Sequence, residues 1–155
     1  MPVFVKSLLV NAPVEDVFRF HERQDALRLL SPPFPPVRIV SRVGTAIEAG
    51  TRVELRVGWI RWVAQHTAYE KNRLFVDEQI DGPFTKWIHR HEFEAVGGKT
   101  LLTDRIEYSL PGGPLVNVLF GWIVLIGLRN MFAYRHRVTS QAISGAEIRS
   151  AGAST

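Results

Sequence analysis

The chain has 155 residues, the size of one ordinary domain, which buries roughly 70% of the surface its unfolded chain exposes. Its 46% hydrophobic and 22% charged content sits near globular averages and argues against disorder, and the absence of cysteine excludes disulfides and suits a reducing, cytoplasmic setting. The net charge of +4 is scattered and forms no stripe, so no nucleic-acid partner is expected, and the one local cluster (Arg129, Arg135, His136, Arg137) reads as solvated helix surface.

Residues 3–10 (VFVKSLLV) are rich in β-formers, with Lys6 among them, and read as a strand and not as a leader sequence. Asn11 is placed to cap a short helix, with Pro13 in its first turn and Glu15 and Asp16 complementing its dipole. Val14, Val17 and Phe18 give that helix a buried face, and it ends near Glu22. A second short helix over residues 25–30 stops at Ser31-Pro32-Pro33-Phe34-Pro35-Pro36, where four prolines force an extended connection.

Strands are expected over 37–43, 51–59, 61–70 and 74–81, with Lys71-Asn72 as a hairpin tip. On the last of these Asp77 and Glu78 point to opposite faces, so one of the two turns inward if the strand is central. Residues 82–111 then form a hairpin. Gly97-Gly98 is a favoured two-residue turn, and as its centre it sets His91 opposite Asp104, Trp87 opposite Tyr108, Phe93 opposite Leu102 and His89 opposite Ile106. One face of this hairpin is then apolar and aromatic with a His–Asp pair embedded in it, and the other is charged. Such a face lines an interior and carries a few polar groups.

Pro111-Gly112-Gly113-Pro114 ends the sheet and starts a long helix running to about Ser140. Residues 115–128 (LVNVLFGWIVLIGL) are apolar nearly all round, yet shorter than the ~20 residues that span a bilayer. Burial on several sides, a second subunit included, is the expectation, with homodimer or peripheral membrane contact through 115–128 as the other readings. Arg135 and Tyr134 either close a pocket mouth or face water. Residues 1–141 are expected to be one domain and 142–155, small and polar, a flexible tail.

The order strand, two short helices, six strands, long helix resembles the helix-grip domains of the SRPBCC superfamily, among them START lipid-transfer domains, birch-pollen-allergen-like proteins and polyketide cyclases. The segments FVDEQIDGPFTKWIHRHEF, TLLTDRIEYSLPGGPL and MFAYRHRVT are similar to an uncharacterised bacterial group of polyketide cyclase/dehydratase type. The resemblance implies an α+β helix-grip fold, a seven-stranded curved antiparallel sheet wrapped around the C-terminal helix with two short helices after the first strand. It also implies an apolar cavity between sheet and helix that takes a hydrophobic or amphipathic small molecule such as a lipid, polyketide or aromatic metabolite.

The candidate lining is Trp62 and His66 from one strand and Trp87, His89, His91 and Phe93 from the next-to-last. Asp104, Ile106 and Tyr108 from the last strand and Trp122 from the helix complete it. A carboxylate opposite an imidazole fixes its tautomer and raises its basicity. His91–Asp104, with His89 as a polarising partner, is therefore the candidate for proton transfer in an enzyme of cyclase or dehydratase type. The alternative is that the pair satisfies itself and orients a ligand. His89 and His91 lie two residues apart, near 7 Å by strand rise, and spacing supplies no third ligand, so no metal is expected. No phosphate loop, GxSxG elbow or HExxH motif is present, and no cofactor is expected.

Overall fold

The structure is a computed structural model that describes residues 1–152, with side chains through residue 145. Seven antiparallel strands form one open sheet. In chain order the elements are β1 (Val3–Val10), α1 (Val14–Glu22), α2 (Ala26–Leu29), β2 (Val37–Val43), β3 (Arg52–Val57), β4 (Ile60–Glu70), β5 (Leu74–Asp81), β6 (Lys86–Val96), β7 (Lys99–Ser109) and α3 (Gly113–Gly152). The spatial order is β1-β7-β6-β5-β4-β3-β2, so every pair from β2 to β7 is a hairpin and β1 closes onto β7. This is the seven-stranded helix-grip architecture expected from the sequence.

The β6–β7 hairpin has the expected register. Gly97 (φ 54°) and Gly98 (φ 78°) adopt the left-handed backbone that a two-residue turn demands. Trp87 then faces Tyr108, His89 faces Ile106, His91 faces Asp104 and Phe93 faces Leu102. Inward positions along both strands are buried more deeply than their neighbours, because one face meets α1 and α3 and the other meets solvent. Register shifts between Val63 and Ala64, between His66 and Ala68 and between Ile39 and Ser41 mark bulges, which bend the sheet around the helix.

Two apolar clusters hold sheet to helices. Phe18 of α1, fully buried, packs edge-on against Phe93 with ring centroids 4.9 Å apart, beside Phe75 and Leu102. At the other end Phe4, Trp87 and Ile106 meet Leu128 and Phe132 of α3. Burying each such side chain stabilises by about 1.5–3 kcal/mol. Between the clusters lies a polar band, because His91 and His89 sit between Phe93 and Trp87 on β6, and Asp104 sits between Leu102 and Ile106 on β7. On α3, Leu128, Phe132, His136, Thr139 and Ile143 recur at helical spacing on the buried face, which carries His136 into the same band.

Several expectations need correction. Asn11 does not cap α1, because the helix begins three residues later; Pro13 holds the N-cap position and its carbonyl accepts from the N–H of Asp16 and Val17. Gly58-Trp59 forms a turn that ends β3 at Val57 and starts β4 at Ile60. α3 continues past Ser140 to Gly152, so residues 142–152 of the expected tail are helical, and 153–155 lie outside the described residues. Within the Gly113–Gly145 stretch an 18-residue window has mean hydropathy 1.7, so by length and composition alone α3 could cross a membrane. Nor is 115–128 buried on several sides within the chain. Leu115, Val118, Leu119, Trp122, Ile123 and Ile126 are each about half exposed or more.

Candidate functional site

A cavity of about 630 Å³ opens between the concave sheet face, α2 with the proline-rich connection, and α3. Its walls are mainly apolar: Leu55, Trp62 and Ala64 from β3 and β4, Leu30 and Phe34 from the α2 side, and Leu128 from α3. Trp62, Ala64 and His66 all reach it, as strand parity predicts. Trp87, His89 and His91 line it as well. The volume and chemistry match a pocket for a small molecule, which combines apolar walls with a few placed polar groups.

Polar side chains reach the lining from several elements, Arg23, Arg42, Asn130 and Arg135 among them, and the imidazoles cluster with Asp77. All five histidines of the chain are buried, and four of them (His21, His66, His89 and His91) line the cavity. His89 Nε2 donates to Asp104 Oδ1 at 3.0 Å, and His91 Nδ1 lies 2.9 Å from the same oxygen. His136 Nε2 donates to Asp104 Oδ2 at 2.7 Å from the far side. The opposite edges of the two rings face Asp77: His91 Nε2 is 3.2 Å and His89 Nδ1 3.4 Å from Asp77 Oδ2. His89 and His91 thus stand side by side, ring centroids 3.7 Å apart, between two carboxylates. That is about half the separation expected from strand rise, because the two side chains lean along the strand toward each other. Phe75 stacks on the outer face of His91 at 3.9 Å and 16°.

Burial alone would raise both carboxyl pKa values. The three imidazoles around Asp104 outweigh it and hold that group well below the usual carboxylate range, and His89 and His91 do the same for Asp77. Burial works to lower His89, but the charge of Asp77 and the hydrogen bond to Asp104 outweigh it and leave His89 raised. His21 has no such partner. Burial beside Phe20 and Phe93 lowers it to about 4, although its Nδ1 donates to the Val17 carbonyl at 2.9 Å. Burial also lowers His66, whose Nδ1 has no hydrogen-bond partner among the described residues.

The structure brings together His66, Trp62, Trp87, His89 and His91 at the cavity surface. Asp104 is 3% exposed and acts from behind the rings, while Phe93, Ile106 and Tyr108 belong to the flanking apolar clusters and do not line the cavity. Trp122 points outward, 59% exposed, with Nε1 donating to the Leu119 carbonyl. Of the cluster read as solvated helix surface, His136 is buried against Asp104, and Arg135 lines the cavity and donates to the Leu30 carbonyl at 3.2 Å. Asp77 is the inward member of the Asp77–Glu78 pair, while Glu78 accepts from Thr67.

Sequence reasoning misses Asp77, His21 and His136 as members of this site. For Asp77 the signal is present, since inward parity on β5 places it beside both His66 and His89, its cross-strand neighbours. His21 follows Val14, Val17 and Phe18 at helical spacing and so shares their buried face. His136 stands four residues after Phe132 on the buried stripe of α3. The expectation of no metal rests on the lack of a third ligand. Asp77, His89 and His91 in fact bring one donor atom each to within 4.8 Å of one another.

No functionally curated protein matches the sequence closely enough to count as a relative. Solved structures are similar in fold. A norcoclaurine synthase point mutant from Thalictrum, in complex with a transition-state analogue, has TM-score 0.74 and 14% identity over 94% of this chain and 96% of its own. The protein TTHA0849 from Thermus thermophilus has TM-score 0.72 and 18% identity over 94% and 99%. Ara h 8.0201 has TM-score 0.59 and 13% identity over 89% and 97%. At such identities the likeness shows the helix-grip fold alone. The sequence itself carries the family assignment: residues 10–132 match the profile described as polyketide cyclase / dehydrase and lipid transport, and the chain belongs to that family.

Proposed function

We propose that the chain binds a hydrophobic or amphipathic small molecule, a lipid, polyketide or aromatic metabolite, in the cavity between sheet and α3. The observation that carries this reading is the cavity of about 630 Å³, apolar on most of its wall with a few polar side chains. The family description, which names lipid transport, and the helix-grip neighbours support it. A ligand seated there would place its apolar body against Trp62, Leu55 and Leu128 and a polar end toward His66, His89 and His91. Native mass spectrometry of protein purified from its source, followed by extraction, would identify a bound molecule. Ala64→Phe, which projects a ring into the cavity from the middle of β4, should weaken uptake of an apolar fluorescent probe about tenfold or more. An unchanged probe affinity would place binding elsewhere.

A second reading is favoured by the His89–His91 pair. Two imidazoles at the cavity wall, each backed by a carboxylate, are equipped to take or give a proton to a bound molecule, the chemistry of a cyclase or dehydratase. Under this reading His91→Ala lowers the turnover of a cavity-bound substrate by orders of magnitude, whereas simple binding tolerates it with altered affinity.

A further inference from the structure

Four ring nitrogens, two from His89 and two from His91, face two carboxylate oxygens. Each neutral imidazole carries one N–H, so two of the four contacts lack a proton. Only two of the four have the alignment of a hydrogen bond, His89 Nε2 to Asp104 Oδ1 at 3.0 Å and His91 Nε2 to Asp77 Oδ2 at 3.2 Å. His89 Nδ1 is then a bare lone pair 3.4 Å from Asp77 Oδ2, and His91 Nε2, which would give up its proton on binding a metal, converges on the same oxygen. Asp77 Oδ2, His89 Nδ1 and His91 Nε2 lie within 4.8 Å of one another at the edge of a cavity, a donor set that a metal ion can take up in place of the ring proton.

We propose that Asp77, His89 and His91 form a binding site for a divalent first-row transition-metal ion of the zinc type. Asp77 Oδ2, His89 Nδ1 and His91 Nε2 are the ligands. Bonds of about 2.0–2.1 Å arranged tetrahedrally put ligand atoms about 3.3–3.4 Å apart. The two Asp77-to-histidine distances are 3.4 and 3.2 Å, so the carboxylate already stands at the required edge length from both rings. Metal-ligating histidines characteristically donate their other ring N–H to a carboxylate, which fixes the tautomer and raises basicity. Asp104 does this for His89, lies 2.9 Å from His91 Nδ1, and is held in turn by His136.

His66 stands beside the trio on the neighbouring strand without belonging to it. It pairs directly across from Asp77, is 9% exposed, lines the cavity, and keeps a buried Nδ1 without a hydrogen-bond partner among the described residues. Two imidazoles and one carboxylate suit zinc, iron(II) or cobalt(II) rather than magnesium or calcium, which take oxygen ligands. Three protein ligands leave an open position facing the cavity, the arrangement of metal sites that act on a bound molecule. Water, or an oxygen atom of the cavity ligand, completes the sphere. That last point rests on the cavity being the binding site proposed above, whereas the metal site itself does not.

The test uses the whole chain, stripped with a chelator and titrated with Co²⁺, without any cavity ligand. The expected result is a saturable visible d–d band at a single equivalent that Zn²⁺ displaces, with X-ray absorption showing imidazole and oxygen donors. Asp77→Ala, His89→Ala and His91→Ala should each abolish the band. Asp104→Asn should weaken Co²⁺ binding about 10–100-fold while leaving the ligand set intact. A wild-type protein that shows no saturable band overturns the site, and this readout does not depend on any variant folding. A band that survives in the His89→Ala/His91→Ala double variant overturns it too, since the ion then sits elsewhere. Loss of apolar probe uptake with intact Co²⁺ binding would count against the cavity reading alone.

Discussion

The molecule has two regions that invert the usual distribution of polarity. On the sheet, His89, His91 and Asp104 are polar, almost fully enclosed, and hydrogen-bonded to one another, to Asp77 and to His136. On the first half of α3, Leu115, Val118, Leu119, Trp122 and Ile126 are apolar, exposed, and follow one another at helical spacing. Buried polar groups are costly unless paired, so the sheet region depends on every partner being present. Exposed apolar side chains on the helix contribute little to the folded chain, because folding removes only part of their surface from water. Between these two regions, then, the polar residues carry structure and the greasy ones do not.

Removing the shared acceptor tests this contrast most severely. Asp104→Ala leaves three embedded imidazoles without their carboxylate and should cost about 3–5 kcal/mol in urea unfolding at neutral pH. A loss below about 1 kcal/mol would mean that the histidines find other partners. The next effect is a pH dependence. His21 is held at about 4 in the folded chain against 6.5 when unfolded, so on acidification the unfolded chain takes up the proton first. Its contribution is complete above 6.5 and is lost as pH falls toward 4, by roughly 3 kcal/mol in total. His66 acts in the same direction. His89, whose value is raised, acts oppositely: its stabilisation is complete below 6.5 and is lost as pH rises through its folded value. His21→Leu should flatten the acid side of the stability profile and leave the alkaline side as it is, measured by denaturant midpoints from about pH 4 to 8.

Substitutions on the helix should do least. Ile123→Glu with Ile126→Glu should change the stability of the monomer by about 0.5 kcal/mol or less. The same pair should abolish any self-association or vesicle binding that depends on this face, read by analytical ultracentrifugation and by co-sedimentation. A large loss of monomer stability would show that the face is packed within the chain after all.

The parts legible in the sequence share a physical cause. Period-two alternation and the Gly97-Gly98 turn determine which residues meet across β6 and β7, so the His91–Asp104 pairing can be read from the residues alone. Asp77 cannot be placed with the same certainty, because the bulges in β4 and at the end of β5 reset the parity against which it would be judged. Trp122 escapes for a different reason: a helix apolar all round has no pattern that distinguishes its inner face. His136 and Arg135 look like surface because local charge density suggests it, whereas the Leu128–Phe132 stripe turns that side of α3 onto the sheet. Asn11 has good capping chemistry but stands too far from the first helical residue to use it.

The tight turn at Gly97-Gly98 also bears on how the wall is assembled. A hairpin slipped by one residue would turn Thr103 and Arg105 inward and Asp104 outward, since successive side chains alternate faces. Leucines and valines tolerate such a slip with partial loss of packing, but His89 and His91 would lose their common acceptor, and His136 would arrive from α3 to find none. The histidine–aspartate band therefore works as a key to strand alignment: only one pairing of β6 with β7 gives the imidazoles from both sheet and helix their common acceptor.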